Sequence, residues 1–205
     1  MKTTAGWLTI ALMLGLSPKA AMAQDTDAEA RQIAAKVCSA CHGPGGDGTN
    51  PQFPKLAAQQ PDYLAEQLKA FRTRQRAEPD AQHFMWGAAS RDLDERVVGA
   101  MARYYAAQPA PKPVAGDAAL VARGRQLFSE GASERQIPAC AGCHGADAHG
   151  VAAFPRLAGQ HAAYLEKQMR LIQSAVRSAP VMHGIIQKLN DGDMRALAAF
   201  LQSAD

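Results

Sequence analysis

The sequence contains one five-residue pattern twice, and this repeat constrains the chain more than any other feature. Cys38-Ser39-Ala40-Cys41-His42 returns in the second half as Cys140-Ala141-Gly142-Cys143-His144. Two cysteines three positions apart, followed at once by histidine, form the attachment signature of a c-type haem. Two thiols add to the vinyl groups of one porphyrin, and the histidine then presents its imidazole to the iron. The pattern therefore predicts two covalently bound haem c groups.

Zinc is the rival metal, because two Cys-x-x-Cys pairs can together bind one zinc ion. A histidine directly after both pairs, an export signal and a long repeated segment between the pairs all favour haem. Reduced thiols are also harder to maintain outside the cytoplasm. We interpret all four cysteines of the chain as thioether positions: Cys38, Cys41, Cys140 and Cys143.

The duplication extends well beyond the haem patterns. Phe53-Pro54-Lys55-Leu56-Ala57 in the first half matches Phe154-Pro155-Arg156-Leu157-Ala158 in the second, and Gln, Tyr, Leu and Gln follow both at the same spacing. The offset between the halves changes along the chain, which places the length differences in loops. The prolines of residues 108–116 cannot continue a helix and favour a stiff, extended connector. The sequence therefore predicts two domains joined by a proline-rich linker.

Both halves show the apolar periodicity of helices, and neither shows a convincing alternating strand. We expect an opening helix before each haem pattern, a middle helix and a closing helix, so the predicted fold class is all-α. Two departures between the halves stand out. Ala30 of the first opening helix corresponds to Gly124 of the second, and the second half carries a longer segment, Ser129 to Ala139, before its haem pattern. Four residues are expected to cap helices at their N-termini: Asp27, Asp94, Asp117 and Asn190.

The N-terminus has the composition of a signal peptide. Lys2 precedes the apolar run Trp7–Leu16, and Ala21-Met22-Ala23 is a small-x-small cleavage site. The apolar run is short for a membrane span, so cleavage after Ala23 and export are predicted, with an uncleaved anchor as the alternative. The chain left after cleavage is nearly balanced in charge, which predicts neither a nucleic-acid binder nor a polybasic membrane patch.

The sixth iron ligand separates electron transfer from substrate chemistry. An iron with two protein ligands is closed, whereas an open position can bind oxygen, peroxide or another small molecule. Met101, Met169 and Met194 fall on apolar helical stripes, where a role in the core is the default. Met85 and Met182 do not, and each stands shortly before the closing helix of its half. These two methionines are the candidate ligands.

Four histidines lie outside the haem patterns, and two of them are rival candidates for the sixth ligand. His83 and His183 neighbour the two candidate methionines, and either would give a bis-histidine iron of lower potential. His83 precedes its methionine whereas His183 follows its own, so the duplication does not make them equivalent ligands. We interpret both as surface or near-site residues. His149 and His161 have no counterpart in the first half and are expected to be solvated.

Three arginines follow one another closely in the first half: Arg72, Arg74 and Arg76. A solvated loop is the expected role of this run. A contact to a haem propionate or to a docking partner is the alternative, because guanidinium pairs well with carboxylates.

The sequence resembles cytochrome c4, the diheme relative of the class I cytochromes c. The doubled Cys-x-x-Cys-His, the Phe-Pro-Lys/Arg-Leu-Ala-x-Gln stretches, the Tyr-Leu-x-x-Gln helices and the late Pro-Val-Met carry this resemblance over essentially the whole mature chain. The resemblance implies two tandem cytochrome c domains that face one another, each wrapped around one haem. It also implies axial ligation of the two irons by two histidine–methionine pairs: His42 with Met85, and His144 with Met182.

Two further expectations follow from the resemblance. The backbone carbonyls of Pro54 and Pro155 would accept hydrogen bonds from the ligand histidines and fix each imidazole. The expected organisation is a signal peptide at 1–23, an N-terminal cytochrome c domain at 24–107, a linker at 108–116 and a C-terminal cytochrome c domain at 117–205.

The resemblance implies a periplasmic carrier of single electrons that performs no bond-making chemistry. Its expected partners are redox proteins, with a quinol-oxidising complex as donor, a haem–copper terminal oxidase as acceptor and at most peripheral membrane association. The alternative is an electron-accepting subunit of a periplasmic dehydrogenase complex of the flavin or quinone-cofactor type. A stand-alone catalyst, such as a peroxidase or thiosulfate dehydrogenase, ranks third, because the sequence offers no spare cysteine or acid–base cluster near a haem pattern.

Overall fold

The regular structure of the chain is helical. The computed structural model describes residues 18–89 and 93–205. Within these residues there are ten α-helices and a few short π and 3-10 turns, and β pairing is limited to two isolated bridges. No helix in the described ranges is long and apolar enough to cross a membrane. The all-α prediction is confirmed.

The first half contains an opening, a middle and a closing helix, with two short helices between them. They are α1 (Pro18–Ile33), α2 (Ser39–His42), α3 (Pro61–Arg72), α4 (Trp86–Ala89) and α5 (Glu95–Ala106). A π turn, Ala34–Cys38, joins α1 to α2, and a second, Ala81–Met85, leads into α4. The closing helix α5 packs against both α1 and α3.

The second half repeats this arrangement. Its helices are α6 (Ala118–Glu130), α7 (Ala141–His144), α8 (Ala162–Gln173), α9 (Pro180–Ile186) and α10 (Asp191–Ser203). The closing helix α10 packs against α6 and α8, and α9 packs against α8. The middle helices of both halves begin within one residue of the same place in the repeat, which is the result expected of a duplication.

Three of the four predicted helix caps are present. The carboxylates of Asp94 and Asp117 accept hydrogen bonds from backbone amides at the starts of α5 and α6, and Asn190 caps α10. The prediction for Asp27 is wrong. Because α1 already begins at Pro18, Asp27 lies inside that helix, and its carboxylate instead pairs with Arg103 of α5 at 2.8 Å.

The signal-peptide prediction is only partly covered by the described residues. Lys2 and the apolar run Trp7–Leu16 lie outside them. Residues 18–23 form the first part of α1, so this helix continues across the predicted cleavage site. Cleavage after Ala23 stays a prediction.

The segment between α5 and α6 contains no helix, and it lies along the second half. Pro111 is buried, and its backbone carbonyl lies close to Gly159. The amide of Val114 donates a hydrogen bond of 3.0 Å to the carbonyl of Gln202 at the end of α10. These contacts position the connector against α10.

Each half has its own apolar core, and the methionines assigned to the core are there. Met101 is buried in the first core beside Val97 and Leu64. Met169 and Met194 are buried in the second core, together with Phe128 and Leu197 among others. The prediction that these three methionines pack in the core is confirmed.

The opening and closing helices cross more closely in the second half than an alanine would allow. A β-carbon placed on Gly124 of α6 would lie 2.0 Å from the backbone oxygen of Ala196 in α10. The corresponding Ala30 of α1 is fully buried with its methyl group in place. The first half has alanine and the second has glycine at this position because α6 and α10 lie closer together than α1 and α5 do.

A buried carboxylate contacts the longer segment, residues 129–139, that precedes the second haem pattern. Asp193 of α10 is 0% exposed and accepts hydrogen bonds from Arg123 of α6 at 2.7 Å and from Arg135 at 2.6 Å. It also accepts from the amide of Asn190 in a reciprocal cap. Burial alone would raise the pKa of Asp193, but these donors hold it below its usual value.

Replacing Asp193 with asparagine is expected to lower the free energy of unfolding by about 2–3 kcal/mol, because hydrogen bonds to a charged group are lost. A depressed carboxyl pKa stabilises the fold above the pKa of the unfolded chain, and this stabilisation is lost as the pH falls through the folded-state pKa. Urea unfolding at pH 7 and pH 3 measures both effects. Asp191→Asn, at the exposed start of α10, is the matched control. Equal losses in the two variants would contradict the assignment.

Candidate haem-binding site

Both Cys-x-x-Cys-His patterns end in a short helix that terminates at the histidine. His42 closes α2 and His144 closes α7, and a glycine with positive φ follows each. A β-carbon on Gly43 would lie 2.5 Å from the Cα of Gly48, so the chain reverses there only because residue 43 is glycine. The reversal directs the following loop back past the histidine ring.

Each buried histidine is oriented by a proline carbonyl. The Nδ1 of His42 lies 2.8 Å from the backbone oxygen of Pro54, and the Nδ1 of His144 lies 3.1 Å from that of Pro155. If Nδ1 donates this hydrogen bond, Nε2 keeps a lone pair for a metal. Burial lowers the pKa of both histidines, although the carbonyls partly oppose it, which favours the neutral imidazole that ligation needs.

The first cysteine of each pattern is a buried thiol. Burial raises the pKa of Cys38, and it raises the pKa of Cys140 to about 11. Reactive cysteines and zinc thiolates have lowered pKa values instead. Among the residues that the structure describes, no group of three or more His, Cys, Asp or Glu side chains is placed to hold a metal ion. The two cysteine pairs are therefore not gathered into one zinc site.

One continuous cavity of about 550 Å³ runs between the two halves. Most of its lining is apolar, and both halves contribute. Most of the predicted site residues line it: Cys38, His42, Pro54, Met85, Cys140, Cys143, His144, Pro155 and Met182. Cys41 is half-buried and is not part of this lining. The structure thus brings a histidine, a methionine and at least one cysteine of each half to a shared apolar space.

The two candidate methionines reach the cavity from equivalent places in the fold. Met85 ends the π turn before α4, and Met182 lies in the first turn of α9. Each is half-buried and packs against the edge of its own core. Their role as iron ligands stays a prediction.

The histidines beside these methionines do not line the cavity. His83 is exposed, and its ring lies 4.8 Å from that of Phe84. The Nδ1 of His183 lies 2.7 Å from the backbone oxygen of Ile172, which directs this ring towards α8. His149 is partly exposed and lies 3.1 Å from the carboxylate of Asp147.

The prediction that His161 is solvated is wrong. This residue is 8% exposed, and its Nε2 lies 2.9 Å from the backbone oxygen of Gly48 in the other half. Burial lowers the pKa of His161. The contact depends on how the halves pack together, which the sequence pattern around His161 does not encode.

Two glutamines join the halves in a reciprocal pattern. Gln59 donates to the carbonyl of Arg156 at 2.9 Å and accepts from its amide at 2.6 Å. Gln160 bonds in the same way to the carbonyl and amide of Lys55, both at 3.0 Å. Because Gln59 and Gln160 occupy equivalent positions of the repeat, these four buried hydrogen bonds relate the halves by an approximate two-fold axis.

Replacing both Gln59 and Gln160 with alanine is expected to uncouple the halves. Each substitution leaves one buried amide and one buried carbonyl without a partner, at a cost of about 1–3 kcal/mol for each group. Differential scanning calorimetry of the holoprotein should then show two separate transitions. Gln126→Ala, on the exposed side of α6, is the control. A single transition at an unchanged temperature would contradict this role.

Sequence reasoning also missed the burial of two arginines. Arg76 was expected in a solvated loop, but it is buried, stacks on Phe71 at 4.3 Å and pairs with Glu78. Arg177 is buried as well and donates to Gln168 at 2.6 Å and to the Tyr63 hydroxyl at 3.0 Å. The repeat could have indicated that these two arginines have the same structural role. Arg76 and Arg177 are separated by the same number of residues as the two Phe-Pro stretches.

The charge on Arg177 allows a test of whether haem fits this site. Among the described residues no carboxylate forms an ion pair with Arg177, and its buried Nε has no hydrogen-bond partner. Neutral hydrogen-bond acceptors compensate the desolvation of a buried guanidinium less well than a carboxylate in direct contact does. Arg177 lines the cavity, so a ligand that carries carboxylates would satisfy it. A porphyrin with two propionates offers both the apolar surface and the carboxylates that this lining requires.

Comparisons with known proteins agree with this geometry. The sequence profile described as Cytochrome c matches residues 28–106 and 121–205. Cytochrome c4 of Thiocapsa roseopersicina is 37% identical over 191 residues, which cover 90% of this chain and 96% of that one. The solved structure of Acidithiobacillus ferrooxidans cytochrome c4 is 36% identical with a TM-score of 0.76, over 81% of this chain and 98% of the other. A thiosulfate dehydrogenase electron acceptor of Thiomonas intermedia is 36% identical over 178 residues, covering 82% of this chain and 78% of that protein.

Proposed function

Since this chain belongs to the cytochrome c4 family and carries two covalent haem c groups, we propose that it transfers single electrons between redox partners in the periplasm. The haem irons supply reversible one-electron chemistry when bound. The polypeptide holds the two cofactors in a shared apolar space and limits access of water to them. No substrate bond is made or broken on the chain in this account.

One observation supports a carrier over a catalyst. In each half two side chains line the same cavity: a methionine, and a histidine whose ring is oriented by a proline carbonyl. Ligation of each iron by His42 and Met85, or by His144 and Met182, would leave no position for a substrate. Methionine is a soft ligand that favours ferrous iron and raises the potential. Cys38, Cys41, Cys140 and Cys143 would form the thioether bonds.

The expected donor is a quinol-oxidising complex, and the expected acceptor is a haem–copper terminal oxidase. The test uses reduced holoprotein mixed with membranes that contain such an oxidase, with oxidation followed in the visible spectrum. Rapid, repeated oxidation in the presence of excess donor is expected. If the membranes do not oxidise the protein but a dehydrogenase reduces it rapidly, the protein is instead the electron acceptor of a dehydrogenase.

That second candidate is an electron-accepting subunit of a periplasmic dehydrogenase complex. The observation that favours it is the similarity to the thiosulfate dehydrogenase electron acceptor of Thiomonas intermedia. Co-purification of the tagged chain from its native host distinguishes the two. A stable complex with a dehydrogenase subunit supports this candidate, whereas a free diheme protein supports the carrier.

The periplasmic location is tested by cell fractionation and by the mass of the purified protein. The mature chain is expected to begin at Gln24 and to appear in the periplasmic fraction. A mass that still includes residues 1–23, with the protein in the membrane fraction, would instead support the uncleaved anchor.

A further inference from the structure

One contact between the halves is made by a different residue type in each direction. Gln60 and His161 occupy equivalent positions of the repeat, directly after the two reciprocal glutamines. The Nε2 of Gln60 donates to the carbonyl of His149 at 2.8 Å and to that of Gly150 at 3.3 Å. The Nε2 of His161 lies 2.9 Å from the carbonyl of Gly48. Since Gly48 and Gly150 stand at the same distance after their haem patterns, the two side chains make equivalent contacts across the interface.

Only one of these two contacts can change its charge. The amide of Gln60 does not titrate, whereas an imidazole takes up a proton near neutral pH. Because a carbonyl oxygen only accepts, the Nε2 of His161 donates the hydrogen bond to Gly48, and a second proton must go to Nδ1. His161 is 8% exposed, so the charge that this proton adds would be buried between the halves.

The surroundings of His161 offer little compensation for a positive charge. Lys55 and Asp47 are the described charged groups that act on its ring, and they pair with each other at 3.0 Å. His161 is also the residue that precedes the first turn of α8, where the helix dipole disfavours a cation and no acidic residue is present. Burial is the largest influence on the pKa of His161 and lowers it, with the charge of Lys55 acting in the same direction.

We propose that His161 makes the contact between the two halves pH-dependent, because protonation of its ring weakens an interface that the neutral ring joins. The neutral ring connects the start of α8 to the loop that contains Gly48. The imidazolium gains by moving into water, and this movement opens the interface. The cavity lies between the halves, so opening would separate the two cofactor sites and slow electron exchange between them. The effect does not depend on the partner and applies to a free carrier and to a dehydrogenase subunit alike.

The direction of the pH effect follows from the lowered pKa of His161 in the closed interface. As the pH falls, an exposed histidine takes up its proton first, near the unperturbed pKa of about 6.5. The stabilisation of the closed interface is therefore complete above that pH. It is lost as the pH falls from there through the lower pKa of the buried ring.

The test is amide hydrogen exchange of the holoprotein at pH 7 and pH 5. The amides of Lys55 and Arg156 donate to glutamines of the opposite half, so their protection factors report opening of the interface. Both protection factors should fall about tenfold between the two pH values, which is the change expected for a pKa difference of about one unit. Amides in the middle of α5, which packs within the first half, should keep their protection.

Exchanges between the equivalent positions supply matched variants. His161→Gln copies Gln60, so the contact is kept and the pH dependence of both protection factors should disappear. Gln60→His copies His161, and the fall should be steeper than in the wild-type protein. The second variant decides the question even if the first folds poorly. An equal fall in His161→Gln, or a Gln60→His protein no more sensitive to pH than the wild type, would overturn the proposal.

Discussion

Replacing Met182 with leucine should allow carbon monoxide to bind at one iron per chain while the other iron stays closed. Leucine fills nearly the same volume as methionine, so the apolar lining is preserved, but it has no sulfur to offer the metal. Carbon monoxide titration of the reduced holoprotein, followed in the visible spectrum, gives the stoichiometry. The potential of the same site should also fall, by on the order of 100 mV within the range of about 0.8 V that axial ligands span.

The chain offers a matched control for this experiment. Met194 is fully buried in the core of the second half and does not line the cavity, so Met194→Leu should bind no carbon monoxide. Met85→Leu should reproduce the Met182 result at the first-half iron. If Met182→Leu bound no carbon monoxide but His183→Phe did, His183 would be the ligand and the assignment would be wrong.

The second large effect is expected from Gly124→Ala, at the crossing of α6 and α10. The new β-carbon would lie 2.0 Å from the backbone oxygen of Ala196, so the two helices would have to separate. Overpacking of a core typically costs 1–3 kcal/mol, and a backbone contact as close as this should reach about 3 kcal/mol. Urea unfolding of the holoprotein should show a lower midpoint with little change in the slope.

Two further variants separate the effect of the close α6–α10 contact on the free energy of unfolding from the general effect of exchanging glycine and alanine in a helix. Gly142→Ala in α7 copies Ala40 of the first half and meets no atom within 4 Å, so it should not destabilise the protein. Ala30→Gly should cost about 1–2 kcal/mol, from the lower helix propensity of glycine together with the loss of one buried methyl group. A loss below about 0.5 kcal/mol for Gly124→Ala would show that the crossing can relax.

The parts of the fold that depend on local chemistry could be predicted from the sequence. The periodicity of Leu64 and Phe71 places one face of α3 in the core, and Asp94 and Asp117 cap the helices that they were expected to cap. Asp27 failed because a cap depends on where the helix begins, and α1 begins well before it. Local signals identify a helix more reliably than they fix its end.

The site residues that occur at equivalent places in both halves could be predicted from the sequence. Comparison of the halves singled out Met85 and Met182, and it also contained the equivalence of Arg76 and Arg177. The burial of His161, by contrast, depends on its contact with Gly48 in the other half. Contacts between halves depend on three-dimensional packing, so a single sequence could not show that these polar groups are buried.

Glu78 was unpredictable for a different reason. It is a lone acid in a loop, and a single sequence gives no sign that it is buried against Arg76. Ala179 occupies the equivalent position of the repeat, so the second half offers Arg177 no carboxylate of this kind. The difference between Glu78 and Ala179 can be recognised only after the structure has shown that the segments around Arg76 and Arg177 are equivalent.

The central claim is that the chain holds two haem groups whose irons are both closed by protein ligands. One potentiometric titration of the wild-type holoprotein, followed in the visible spectrum with and without carbon monoxide, tests it most directly. The account predicts two one-electron steps per chain, both at the high potentials of methionine-ligated haem and both unchanged by carbon monoxide. Uptake of only one electron per chain, or a potential that moves higher under carbon monoxide, would contradict it.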